Sequence, residues 1–359
     1  MLPIGGKFRV IDFTIRNSFS SGARSTVIYN NIDDGLEHYV DCYGPFGDMT
    51  FPPIKVISRE FSDMTFCYNV ILDANTQFYI IYNGDNPSII DFKGIIKKYK
   101  KRRSDAVLFS MNIDGKPSMA YKVLVTNQKI LLKVVNKAID EDRKSPNIFE
   151  MIINTMINDG IKTGTFDAMY WPVKNIPDYD SLNRKIIWSP EIFGLLYEEK
   201  LIQSQIIADG YAHIGPHGQI INSFMSDYCE INGKVENSII YPGVIIGEGS
   251  VVKNSILLPF VRIGKNSRIY NSVIDEKTEF SEELEYNTIG DNCVIGTEDL
   301  HIKSNDFPRF LFESKTIIGK NAIIPDGARI GGGCYVASGA GQDYFEKKKF
   351  LYDKESIKK

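Results

Sequence analysis

The chain has only two tryptophans, four histidines and five cysteines in 359 residues. The cysteines (Cys42, Cys67, Cys229, Cys293, Cys334) are odd in number and scattered, with no CxxC pair. That excludes a disulfide framework and makes a zinc site a poor expectation; free buried thiols in a reducing, cytoplasmic setting fit better. Charge of one sign is missing too. Against 42 Lys and Arg stand 45 Asp and Glu, a net of −3, which excludes a nucleic-acid coat or a polybasic membrane binder. No run approaches the roughly 18 apolar residues of a membrane span, and no GxxxxGK[ST] phosphate loop occurs. The opening, Met1 to Lys7, has neither the charged and apolar regions of a signal peptide nor the texture of a transit peptide, so the chain is expected to start inside structured sequence.

What is there begins as alternation. Ser25–Asn30 reads as a strand, Asp33–Tyr43 as a helix, Ile54–Ser58 as a strand and Asp63–Ala74 as a helix. Gln77–Asn83 is an almost wholly apolar strand, expected to be buried on both faces, and Gly84-Asp85 ends it. Asp91–Arg103 places Phe92, Ile95, Ile96 and Tyr99 on one helical face, and Asp105–Met111 is the next strand. Ser145-Pro146 suits a helix start, Ile148–Ile157 supplies its apolar stripe, and Gly160 stops it. Such alternation implies a mainly parallel α/β sheet. Pro177–Gln203 then joins two textures, which puts a domain boundary near residue 200.

Beyond Ile206 the sequence repeats. Asn-Ser pairs fall at Asn222, Asn237, Asn254 and Asn271, at intervals of 15, 17 and 17, each followed by an apolar residue (Phe224, Ile239, Ile256, Val273). Ile-Gly pairs at Ile214, Ile246 and Ile263 precede three of them by eight residues, and more follow at Ile289, Ile295, Ile318 and Ile330, around an irregular insert at Glu298–Glu313. This is a hexapeptide-type, left-handed parallel β-helix over residues 201–340, with Ile and Val stacked inward and Gly and Asn at the corners. The lysine-rich tail, 341–359, reads as a solvated helix. Gly331–Gly333 with Gly339 and Gly341 are expected at corners, although glycines so spaced could cradle a phosphate. Lys97–Arg103 is expected to be a solvated basic face, with a phosphate or RNA contact as the alternative. His213, His217 and His301 could serve as the base of a β-helix acyltransferase, but no acyl-acceptor motif accompanies them.

The stretch Gly5-Gly6-Lys7-Phe8-Arg9-Val10-Ile11-Asp12-Phe13-Thr14-Ile15-Arg16-Asn17-Ser18, with Ser21-Gly22 beyond, resembles bacterial glucose-1-phosphate adenylyltransferase (ADP-glucose pyrophosphorylase). The resemblance continues through Leu36-Glu37-His38, Gly84-Asp85 with Asp91-Phe92, Tyr170-Trp171 and Tyr179–Asn183, and so covers nearly the whole chain. It implies a nucleotidyltransferase-like, Rossmann-like domain over residues 1–200, then the β-helix. The wording Ile207-Ala208-Asp209-Gly210 and Val235-Glu236-Asn237-Ser238-Ile239 looks most like the D-type regulatory subunit. Transfer of an adenylyl group from ATP to a sugar phosphate needs donors and cations around the triphosphate and carboxylates for Mg²⁺.

By the resemblance, three such parts are altered. The glycine-rich loop with its Arg, and the first strand, would precede Pro3. Asp85 would be one Mg²⁺ ligand, with a strand-ending turn as the alternative, while the second carboxylate's position falls on Pro172, beside Lys174; Asp178 and Asp180 are the nearest substitutes. At the sugar-phosphate segment only Asp63 of Glu60–Met64 matches. Lys7 and Arg9 are implied near a phosphate or effector, with a surface turn as the plain alternative.

The resulting expectation is a regulatory or catalytically weak subunit in glycogen synthesis, not holding Mg²⁺ tightly. Its partner would be a catalytic homologue or itself, with ATP, glucose 1-phosphate or a phosphorylated effector as ligands and neither nucleic acid nor membrane. A competent adenylyltransferase and a β-helix acyltransferase or scaffold are the alternatives.

Overall fold

A computed structural model describes residues 2–30, 36–41, 54–58, 64–74, 76–113, 116–140, 148–198, 202, 204, 210–278, 288–345 and 350–358. In chain order come β1 (Pro3–Ile4), β2 (Phe8–Arg9), α1 (Val10–Ser21), β3 (Thr26–Asn30), α2 (Leu36–Asp41), β4 (Ile54–Ser58) and α3 (Met64–Asp73). β5 (Tyr79–Tyr82), β6 (Ser88–Ile90), α4 (Phe92–Lys101), β7 (Ala106–Ile113), β8 (Lys116–Thr126), α5 (Gln128–Asp140) and α6 (Ile148–Asn158) follow. β9 (Lys162–Phe166), β10 (Ala168–Tyr170) and α7 (Ile176–Trp188) lead into short strands that run from His213–Ile214 to Ser356–Ile357. The chain forms two units: Met1–Leu2 with Val10–Trp171, and Pro3–Arg9 with Pro172–Lys359. α7 and the helical turns after it pack with the β-helix, and the β1–β2 hairpin joins them.

In the first unit the main sheet has the order β5-β8-β7-β9. β7 and β9 pair in parallel, as β3 and β4 do in a sheet of their own, while β8 runs antiparallel to both β5 and β7. β6 and β10 form an antiparallel pair. Side chains alternate across β7 and β8 with the period of two that a pleat imposes. Leu108 and Leu124 join Leu131, Val135, Ile153 and Met156 of α5 and α6 on one face. Val107, Phe109, Val123 and Val125 join Phe92 and Ile95 of α4 on the other. β8 and α5 carry this double cover and were not anticipated in sequence. β5 is half-buried at the sheet edge where burial on both faces was expected. The basic run is only partly a solvated face: Lys98 Nζ donates to Thr165 O at 2.9 Å, and Arg102 donates to Thr163 O.

The second unit is the β-helix. Three parallel sheets of four, seven and seven strands stack successive coils. Each has an inward column in strand register. Ile231, Ile246 and Ile263 form one, Val235, Val252, Ile269, Ile295 and Ile330 another, and Ile240, Leu257, Ile274, Ile318 and Val336 the third. All are essentially excluded from water. At about 1.5–3 kcal/mol for each buried aliphatic side chain, this inward stack is the main source of stability.

The Asn-Ser pairs divide their work. Asn222, Asn237, Asn254 and Asn271 turn the corner at φ of 45, 49, 53 and 48°, a left-handed conformation that asparagine tolerates better than most residues. The serines beside them form an inner ladder, in which the N–H groups of Ser238, Ser255 and Ser272 donate to the hydroxyls of Ser223, Ser238 and Ser255 at 3.0–3.1 Å.

Cys229, Cys293 and Cys334 are free and buried, each bonded to the carbonyl of a later coil (Tyr241, Pro325, Tyr352). Burial pushes the thiols of Cys229 and Cys334 up to about 11. The tail is helical over Gln342–Phe345 and then departs from the expected helix. Phe350–Leu351 and Ser356–Ile357 add the last rungs to two of the sheets, with Leu351 and Phe345 buried.

Candidate functional site

The resembling stretch Gly5–Ser18 is divided between the units. Gly5, Gly6 and Lys7 turn the β1–β2 hairpin, with Gly5 and Gly6 at φ of 61 and 76°. A β-carbon on Gly5 would lie 2.7 Å from Ile186 and one on Gly6 would run into the ring of Phe224, so neither position admits another residue without a shift.

Polar contacts fasten the turn. Asn183 Oδ1 accepts from Gly5 N at 2.8 Å and from the Tyr241 hydroxyl at 2.7 Å. Tyr179 Oη donates to Pro3 O at 2.6 Å, Tyr197 Oη donates to Gly5 O, and Ser204 Oγ donates to Lys7 O at 3.1 Å. Burial drives the three phenols well above their ordinary range, so they remain donors.

Arg9 is buried, and its Nη2 meets Glu276 Oε2 at 2.7 Å. Lys320 reaches Glu276 Oε1 at 3.0 Å. Burial would raise the Glu276 carboxyl, but Arg9 and Lys320 outweigh it and hold the group below the usual carboxylate range. Neighbouring Asp275 is raised, first by burial and then by Glu276. Arg9 is therefore the buried partner of a carboxylate, whereas Lys7 sits half-buried at the turn.

The rest of the stretch forms α1 in the first unit, and its polar face holds the loop after β5. Asn17 Nδ2 donates to Ser88 O at 2.8 Å while its Oδ1 accepts from Ile90 N at 3.1 Å. Thr14 Oγ1 donates to Gly84 O at 3.4 Å and Thr14 O accepts from Tyr82 Oη at 3.1 Å. Burial pushes the Tyr82 phenol up to about 12.

Asp85 lies in that loop, just past the carboxyl end of β5, the edge where open α/β sheets bind ligands. It is exposed, its N–H donating to Asn83 Oδ1 at 2.8 Å. Tyr170 is close enough for the Asp85 charge to add to the burial that raises its phenol. Asp63 lies outside the described residues.

By the resemblance, Mg²⁺ would need a second carboxylate beside Asp85, at the position where Pro172 stands. Among the described residues no three His, Cys, Asp or Glu side chains converge. Pro172 offers no ligand oxygen on its side chain. Both nearby substitutes are engaged: Asp178 Oδ2 accepts from Lys174 N at 3.1 Å, and Asp180 Oδ2 is shared by Arg184 Nε at 3.1 Å and Lys315 Nζ at 2.9 Å. The three histidines stand exposed in separate places, His213 in a strand, His217 in a turn and His301 in the insert.

A family described as GlmU-like, C-terminal hexapeptide, matches residues 210–304. The chain is 28% identical to the glucose-1-phosphate adenylyltransferase of Pseudothermotoga lettingae, over 97% of its own length and 91% of that protein's. Further relatives carry the same name, glucose-1-phosphate adenylyltransferase. Those of Acetivibrio thermocellus and Fervidobacterium nodosum are each 24% identical, over 91% and 92% of this chain and 85% and 88% of theirs. No described helix is long and apolar enough to cross a membrane.

Sequence reasoning named Asp180 only as a substitute metal ligand and missed that it pairs with Arg184 and Lys315. Asp180 and Arg184 are readable as an i, i+4 pair on α7. Lys315 arrives from the insert, 135 residues from Asp180, with no local signal.

Proposed function

We propose that this chain is a regulatory, catalytically weak subunit of a glucose-1-phosphate adenylyltransferase. It would associate with a catalytic homologue that converts ATP and glucose 1-phosphate to ADP-glucose and pyrophosphate. The observation that carries this reading is the use of the carboxylates around residue 172. Proline stands where the relatives' second metal ligand would align, Asp178 is bonded to the backbone of Lys174, and Asp180 is neutralised by two cations. Asp85 is exposed, and without a second carboxylate it would depend on substrate phosphates to hold Mg²⁺.

Arg9 supports the same reading. Releasing it to a phosphate would leave Glu276 buried with only Lys320, at a cost of about 3 kcal/mol. A cytoplasmic place in glycogen synthesis follows from the proposed reaction. A fully competent enzyme is the second reading, favoured by the extent of similarity to proteins bearing that name.

The test is ADP-glucose formation from ATP, Mg²⁺ and glucose 1-phosphate by the purified chain alone. The proposal expects a rate about a hundredfold or more below that of a catalytic relative, in keeping with the effect of removing an essential electrostatic stabiliser. A comparable rate establishes the second reading instead.

A further inference from the structure

The asparagine corner of the β-helix is the floor of an open groove. Asn222, Asn237, Asn254 and Asn271 line it. Coils stacked at about 4.8 Å make this floor about 14 Å long. One wall is a face of α7, formed by Asp180, Arg184 and Trp188 at i, i+4 and i+8. The other is the insert, which leaves the coil at this corner and contributes Leu300, Glu313 and Lys315. Every one of these residues belongs to the β-helix unit.

The groove has unmet polar capacity. Asn222 Nδ2 donates to Asn237 Oδ1 at 2.6 Å and Asn271 Nδ2 donates to Glu313 O at 2.8 Å, but the Asn254 side-chain amide between them has no hydrogen-bond partner among the described residues. In the wall, Asp180 Oδ2 carries both cations while Oδ1 is buried without a donor. Glu313 and Ser314, at the insert's return, hold φ of 54 and 55°, a conformation that costs L-residues free energy.

Charge and shape narrow the ligand. Asp180 and Glu313 offset Arg184 and Lys315, and Lys315 is already paired, so the groove does not select an anion. Trp188 is 40% exposed and Leu300 56%, giving apolar surface beside the amide row. A row of planar amides, each with one acceptor and two donors, suits a chain of hydroxyls. The negative face of an indole suits the polarised C–H face of a sugar ring. The repeat of the floor is comparable with the length of one hexose unit.

We propose that this groove binds a neutral, linear oligosaccharide of hexose units. The assignment stands apart from the adenylyltransfer reading, because every residue in it lies in the β-helix unit and only Asp180, already paired with Arg184 and Lys315, is also a considered metal position.

The experiment is calorimetric titration of the full chain with maltohexaose, cellohexaose and chitohexaose, and with glucose. At least one hexasaccharide should bind saturably, and glucose should bind at least about tenfold more weakly. Asn254→Gly, which keeps the left-handed corner, and Trp188→Ala should each weaken binding about tenfold, with thermal melts near that of the parent. Failure of all three hexasaccharides to bind at about 10 mM overturns the proposal. So does binding that neither substitution alters.

Discussion

The two units match carboxylates differently, and buried Asp12 of the α/β unit accepts from the Tyr39 hydroxyl at 2.8 Å. In the α/β unit, hydroxyl and amide side chains of α1 bind the loop after β5, and the carboxylate in that loop, Asp85, faces water. In the β-helix unit two carboxylates are buried and matched by cations: Glu276 by Arg9 and Lys320, Asp180 by Arg184 and Lys315. The stretch Gly5–Ser18 contributes to both. Its first five residues fasten to the β-helix and the remainder builds the helix that shapes the candidate site. One motif thus serves two structural purposes, and finding it complete does not establish catalysis.

This contrast can be broken most forcefully at Arg9. Arg9→Ala leaves Glu276 buried with only Lys320, and it should destabilise the β-helix unit by about 3 kcal/mol in urea unfolding. A change below about 0.5 kcal/mol would mean the pair is solvated and the contrast false. Next is the corner. Asn254→Ala places an ordinary side chain at φ 53° and should cost about 1 kcal/mol, while Asn254→Gly should cost little by the same measurement.

A smaller, pH-dependent effect separates neighbours. Glu276 is depressed in the folded chain, so its stabilisation is present above its ordinary value of 4.5 and is lost as pH falls through the lower folded value. Asp275 is raised, so it opposes folding above its ordinary 3.8 and this cost is relieved as pH falls. Stability curves should therefore show Glu276→Gln losing stability at pH 7 and Asp275→Asn gaining up to about 1 kcal/mol. The smallest effect is expected at exposed Asp85. Asp85→Asn should leave stability within about 0.5 kcal/mol and change little in the activity of a mixture with a catalytic relative.

The β-helix was legible because each coil repeats the same physical demand: inward Ile or Val, a left-handed Asn, a serine that bonds to the next rung. The last coil was not, because Phe350-Leu351 and Ser356-Ile357 meet that demand without an Ile-Gly signature and amid lysines that read as solvated. In the α/β unit the helix over Ile148–Asn158 and the strand Tyr79–Tyr82 before Asp85 followed from apolar patterning, whereas β8 and α5 passed unnoticed. Within the candidate site, Asp85 could be placed from its strand. The fate of Arg9 could not, since Glu276 lies 267 residues away and pairs with it only through the fold.

The measurement that bears most directly on the central claim is ADP-glucose synthesis by a catalytic relative titrated with this chain, followed over substrate and effector concentration. The account predicts that this chain alone contributes almost no turnover while its addition shifts the relative's response until a fixed stoichiometry is reached. Rates that simply sum, with this chain fully active by itself, would contradict it.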